Sequence, residues 1–232
     1  MPPQTKMEKY LFNAQAVALA GSIRKPYFQE LGDHLAISTY AHSAGRSEAT
    51  RRDFALGEDI RYEFARTSIE AVETGTICQT SLIAQVVGLR IGGRLSVGEV
   101  TCQLHSLYDS STYPLQCRPR ISPAGSTIRD LRIDGHLQEL HLPPAFNAEE
   151  KRDAFFRGER DEDRTLQPGP IPEPIHVPGF GTIFYAEWTW VYPDRHEQRL
   201  TMLRLALGST LGAQIVVAMG GTDGTGWPPT VN

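Results

Sequence analysis

The chain has 232 residues, 40% of them hydrophobic and 22% charged, with a formal net charge of -4. That length and balance suit a folded chain with a real core and exclude a disordered tail or a bundle of membrane helices. Neither half is strongly basic, so no surface built to track nucleic-acid phosphates is expected.

The first stretch, MPPQTKMEKYLFNAQAVALAG, lacks the layout of an export signal, because Asn13 and Gln15 interrupt its apolar run. No apolar run reaches the roughly 18 residues of a spanning helix. A cytosolic chain, or one exported by another route, follows as the expectation. Punctuation is dense, with 21 Gly and 16 Pro, and the runs between are rich in Val, Ile, Leu, Tyr and Trp. That pattern predicts an all-β domain. Residues 10–24 alternate and read as a strand, as do residues 34–41. Residues 59–73 fit both periods and are assigned to a strand: Ile60, Tyr62 and Phe64 alternate, yet Ile60, Phe64, Ser68 and Val72 fall at helical spacing.

A long β stretch covers 76–108, broken at Gly92-Gly93, and 109–126 reads as loop. Residues 127–142 form a hairpin turning at Asp134-Gly135, a dipeptide that tolerates positive φ at both central positions. Asn147 caps a short helix near 148–157, with Glu150 reaching back and Gly158 ending it. The charged, proline-rich stretch 157–179 is a connector within one domain covering 1–232. Strands at 181–191, 198–207 and 213–219 complete the chain.

One short unit occurs twice. GLRIGGRLSV from Gly88 and DLRIDGHLQE from Asp130 both read x-Leu-Arg-Ile-x-Gly-x-Leu. On a two-faced sheet Leu89 and Ile91 point inward and Arg90 outward, and the same holds for Leu131, Ile133 and Arg132.

The order PAGSTIRDLRIDGHLQELHL, VPGFGTIFYAEWTW, LTMLRLAL and LGAQIVVAMGG resembles the bacterial choice-of-anchor P family, and AQVVGLRIGGRLSVGEV resembles the strands before that region. The likeness spans roughly 84–105 and 123–221 and rests on hydrophobic rhythm and placed glycines. It implies a β-rich bacterial surface module, with no catalytic residues to carry over.

Chemistry is sparse. Glu187 sits in FGTIFYAEWTW beside Trp188 and Trp190. Strict alternation puts Phe184, Ala186, Trp188 and Trp190 on one face, with Ile183, Tyr185 and Glu187 on the other. A glycosidase would need a second carboxylate, and none is nominated. His136, Glu139 and His141 are not the zinc-protease signature, and His136 faces away from the other two. Cys78, Cys102 and Cys117 show irregular spacing and no CxxC, so buried free thiols are expected. GGTDGTG at 220–226 lacks the Lys of a phosphate loop, and no Gly-x-Ser-x-Gly elbow occurs.

The sequence therefore predicts a two-sheet β-sandwich, with closed barrel and flattened β-solenoid as alternatives, and one helix near 148–157. The function expected is a non-enzymatic, structural or self-associating module, forming homo-oligomers, with no catalytic residue, metal or cofactor. The alternative is a binder of a small molecule or glycan, possibly an enzyme, on Glu187, Trp188, Trp190, His136 and His141.

Overall fold

A computed structural model describes residues 12–24, 28–31, 38–41, 44–109, 111, 119–146, 172–192, 197–208 and 212–222. The helix expected near 148–157, Cys117 and the greater part of the 157–179 connector lie outside them.

Two antiparallel sheets carry the fold. The first strands are β1 (Ala14–Ile23), β2 (Gln29–Leu31), β3 (Ser38–Ala41), β4 (Gly45–Leu56), β5 (Ile60–Thr74), β6 (Ile77–Ile91) and β7 (Leu95–Asp109). Short pieces follow: β8 (Arg120–Ser122), β9 (Thr127–Arg129), β10 (Arg132–Ile133), β11 (His136–Leu137), a single 3-10 turn at Pro144–Phe146, and β12 (Ile175–Val177). Three long strands close the described chain: β13 (Gly181–Tyr192), β14 (Glu197–Leu207) and β15 (Ala213–Thr222).

The smaller sheet runs β12-β13-β14-β15-β1-β2, with β3 also on β1; the larger runs β11-β10-β7-β6-β5-β4, with β8 and β9 also on β7. No described strand of one sheet is hydrogen-bonded to the other, so the fold is the expected two-sheet sandwich and not a barrel. Segment 59–73 is strand β5, and the loop expected at 109–126 contains β8. The Asp134-Gly135 turn has φ of 51° and 82°, both positive as that dipeptide implies.

The core lies between the sheets. Ile183, Leu203, Leu205, Ile215 and Val217 of the smaller sheet, and Ile69, Leu82, Val86 and Leu104 of the larger, are each at most 1% exposed. Burying each such side chain contributes about 1.5–3 kcal/mol. At one end Arg94 clips the sheets together. It donates Nε and Nη2 to Asp134 at 2.7 and 2.6 Å and Nη1 to the Pro178 carbonyl at 3.0 Å, and it lies 5.4 Å from the centre of the Phe180 ring.

Strict alternation fails midway along the strands of both sheets. On β6, Cys78, Thr80, Leu82, Ala84 and Val86 are buried, but beyond Gly88 the buried residues are Leu89 and Ile91. On β5 the buried set changes from Ile60 and Tyr62 to Ala65, Thr67, Ile69 and Ala71. On β7 it changes at Gly98, from Leu95 and Val97 to Val100, Cys102 and Leu104. The turning points form a row across the larger sheet: Asp53, Glu63, Gly88, Gly98 and Asp130. A matching row, Ala186, Met202, Ala218 and Ala18, crosses the smaller sheet.

No residue is inserted, as a bulge would require. Val87 pairs with Glu99 and Leu89 with Val97, so one register holds on both sides of Gly88 and Gly98. Tyr185 with Leu203 and Glu187 with Thr201 do the same around Ala186 and Met202. The cause is the backbone. Alternate strands of each row hold a left-handed residue: Asp53 at 52°, Gly88 at 68° and Asp130 at 53°, then Ala186 and Ala218 both at 51°. Each turns the chain so that the next side chain emerges on the opposite face. Glycine adopts this conformation freely and aspartate tolerates it, whereas alanine is strained there.

The repeated x-Leu-Arg-Ile unit is explained by the same row. Its first residue is Gly88 in one copy and Asp130 in the other, both left-handed. Asp53-Phe54-Ala55-Leu56-Gly57 is a third version, with Phe54 buried and Ala55 exposed.

Candidate functional site

The inversion at Ala186 corrects the faces expected for β13. Ile183 and Tyr185 point to the core, and Trp188 packs against that core from the same side. Phe184 and Glu187 share the outer face. Glu187 does point away from Trp188, but its companions are not Ile183 and Tyr185.

Glu187 is held by Arg204 of β14. Arg204 donates Nε to Oε2 at 2.6 Å and Nη2 to Oε1 at 2.7 Å. The guanidinium also lies 3.7 Å from the centre of the Phe184 ring. The bond to Glu187 raises Arg204 above its ordinary pKa, against the opposing effect of burial. Both carboxylate oxygens are therefore engaged by one guanidinium, which fixes the group on the outer face. The Trp188 indole N–H is buried with no hydrogen-bond partner among the described residues. Trp190 pairs with Gln198 through the β13–β14 ladder, and its side chain lies outside the described residues.

His136 lies at the far edge of the larger sheet, on β11, and is exposed. His141 is farther along the chain and approaches Glu139 at 3.8 Å, with side chains 83% and 89% exposed. Glu187, Trp188 and Trp190 therefore sit on one sheet and His136 beside the other, and no described contact joins them. Among the described residues, no three His, Cys, Asp or Glu come together in a way that could hold a metal ion.

Cys78 and Cys102 are buried free thiols, as expected. Burial, and then the charge of Glu73, pushes the Cys78 pKa up to about 11. Burial raises Cys102 too, against a backbone hydrogen bond from Gly220.

The polar groups the sequence did not nominate gather on the outer face of the larger sheet. His105 contacts Ser81 Oγ through Nδ1 at 3.0 Å and Gln103 through Nε2 at 2.8 Å. Gln85 donates to Glu99 at 2.7 Å, and Thr101 donates to the same carboxylate at 3.0 Å. Two depressions mark this face. The smaller, about 180 Å³, is lined by residues including Arg66, Ser68, Ser81 and His105. The larger is an open groove of about 430 Å³ at the inversion row, lined by residues including Glu63, Gly88, Arg90, Gly98, Asp130 and Arg132.

Glycine makes the floor of that groove. A Cβ on Gly88 would come within 2.5 Å of Glu63 Cδ, and one on Gly98 within 3.2 Å of Asp130 Oδ2. The two carboxylates therefore lie over neighbouring strands, which are about 4.8 Å apart. The next cross-strand row is basic. Arg61 pairs with Arg90, Arg90 with Ser96, and Ser96 with Arg132. All three arginines are exposed on the outer face, as the flanking buried Leu89, Ile91, Leu131 and Ile133 dictate for Arg90 and Arg132. The repeated Leu-Arg-Ile unit was the legible signal for two of them; nothing in the sequence placed Arg61, Glu63 or Ser96 beside them.

Residues 10–160 match the family described as a domain of unknown function, DUF8256, and the chain belongs to that family. No curated protein and no solved structure matches the chain. The matched stretch contains every groove residue named above and ends before β12. No helix among the described residues is long and apolar enough to cross a membrane.

Proposed function

We propose that this chain is a non-catalytic, self-associating β module whose copies pair through β4. The observation that carries this reading is the edge itself. Strand β4 has 12 residues and, among the described residues, pairs on one side only, with β5. Other outer strands are short, β11 with 2 residues and β12 and β2 with 3 each. Strand β13 also runs past β12 with β14 as its one described partner, but residues 184–192 carry a single charge, Glu187, where β4 carries both signs. Folded chains keep unpaired edges short because a long one invites another strand.

The charges on β4 suit a second copy. In an antiparallel pair about a twofold axis through Thr50, Glu48 faces Arg52 of the other copy, and the contact occurs twice. Opposite charges directly across a strand pair stabilise it, and like charges disfavour it. The resemblance to choice-of-anchor P proteins supports a structural setting of this kind.

Light scattering over a range of concentrations tests the proposal. A dimer that dissociates on dilution is expected. Glu48→Arg alone and Arg52→Glu alone weaken it, because each sets like charges opposite one another, and the double variant restores it. A monomer at all concentrations, or a double variant no better than the singles, refutes it.

A further inference from the structure

The basic row beside the groove has no partner that explains it. Arg61 and Arg90 stand directly opposite each other on neighbouring strands, a placement that disfavours the fold. Among the described residues, the side chains of Arg61, Arg90, Glu63 and Asp130 form no ion pair or hydrogen bond, although Arg90, Glu63 and Asp130 line one groove and Arg61 pairs with Arg90 beside it. Arg132 makes a single long contact, Nη1 to the Gly135 carbonyl at 3.4 Å. Three guanidiniums and two carboxylates lie side by side in adjacent rows without neutralising one another.

We propose that this groove binds an anionic saccharide. The acid group of such a ligand, carboxylate or phosphate, sits on the Arg61, Arg90 and Arg132 row. Guanidinium forks match the planar or tetrahedral oxygens of these anions and bind them through paired bonds. Ring hydroxyls donate to Glu63 and Asp130 on the adjoining row, and Ser96 lies between the arginines as a further polar contact. A neutral sugar leaves the arginine row unpaired, and a bare anion leaves the two carboxylates facing it without donors. The groove volume of about 430 Å³ accepts one or two sugar rings. Gly88 and Gly98 let the two carboxylates lie down against the sheet, since any larger residue would displace Glu63 or Asp130.

The test uses the full chain, with isothermal titration calorimetry and amide chemical-shift mapping. Probes are digalacturonate and glucose 6-phosphate, against neutral galactobiose and inorganic phosphate. Saturable binding of at least one anionic sugar is expected by ~10 mM, with shifts centred on 88–98 and 130–132, and the two probes separate a uronate from a phosphate source. Arg90→Ala and Arg132→Ala each weaken binding about tenfold, the loss of one charge-assisted contact. Glu63→Gln weakens the sugar but not inorganic phosphate. None of these exposed substitutions lowers the unfolding midpoint, and Arg90→Ala raises it slightly by relieving the facing Arg61, which separates lost contacts from lost fold. No binding by either anionic sugar, binding indifferent to Arg90 and Arg132, or neutral galactobiose and inorganic phosphate binding as tightly, overturns the proposal.

Discussion

Replacing Ala186 by glycine isolates the strain that turns the smaller sheet. Inside an ordinary strand, alanine to glycine loses a buried methyl worth about 0.8 kcal/mol and adds about 0.5–1 kcal/mol of unfolded-chain entropy. Ala84, fully buried on β6 without positive φ, is such a site, and Ala84→Gly is expected to cost about 1.5 kcal/mol. Ala186 is equally sheltered at 3% exposure but sits at φ 51°. A left-handed backbone costs alanine about 1–2 kcal/mol, which glycine escapes. The two effects offset, so Ala186→Gly is expected to lie within about 0.5 kcal/mol of the parent. Urea unfolding of both variants, with slopes checked for equality, measures the contrast. In melting temperature, Ala84→Gly falls by about 3–6 °C and Ala186→Gly hardly moves. Equal destabilisation of the two variants would refute the account of how the strand changes face.

Gly220→Val is expected to lose about 1–3 kcal/mol or more, because a Cβ there would press on Leu82, Cys102 and Leu104 across the core; thermal unfolding reads the loss. Glu187→Gln should cost about 1 kcal/mol or less, since Arg204 is 36% exposed and solvent screens the pair; urea titration that shows a larger loss would mean the pair is more tightly coupled than its exposure implies. Cys78 has an ordinary pKa of 9.0 and a folded value raised to about 11, so its contribution is complete below pH 9 and is lost as pH rises toward 11. Stability measured across that window should fall less steeply in Cys78→Ala. At pH 8 the native chain should leave Cys78 and Cys102 unlabelled by iodoacetamide, as read by peptide mass mapping, because both thiols are buried and protonated.

Most long strands were legible because their apolar runs are long and their turns carry glycine, as at Gly92-Gly93. Strand β4 was not, because GRSEATRRDFAL is mostly polar, and the hairpin expected over 127–142 is only β9, β10 and β11, with 138–142 outside any strand. Faces were legible only up to each turning point. Alternation placed Ile183 and Tyr185 together correctly and then failed at Ala186, a residue whose identity gives no sign of a left-handed backbone. Phe64 failed because β5 changes face at Glu63, which has no positive φ and stands in register between the left-handed Asp53 and Gly88. Phe64 emerges on the outer face, where the Arg52 guanidinium lies 5.1 Å from the centre of its ring. The partner of Glu187 was hidden by register, since Arg204 is 17 residues away and meets it only once β13 and β14 are aligned. The groove was half visible. Repetition of Leu-Arg-Ile pointed to Arg90 and Arg132, but Arg61 and Glu63 come from a strand with no such repeat.

A crease runs across each sheet of this sandwich, and it alters how substitutions must be interpreted. Along any long strand, odd and even positions exchange roles partway, so a scan scored by simple parity would label half the strand backwards. Tolerance to charge should follow odd positions on one side of Gly88 and even positions on the other. Trimming a single residue from one strand would not slide its pattern past this line without loss; it would set two outward stretches, or two inward ones, against a neighbour that still folds at the old place.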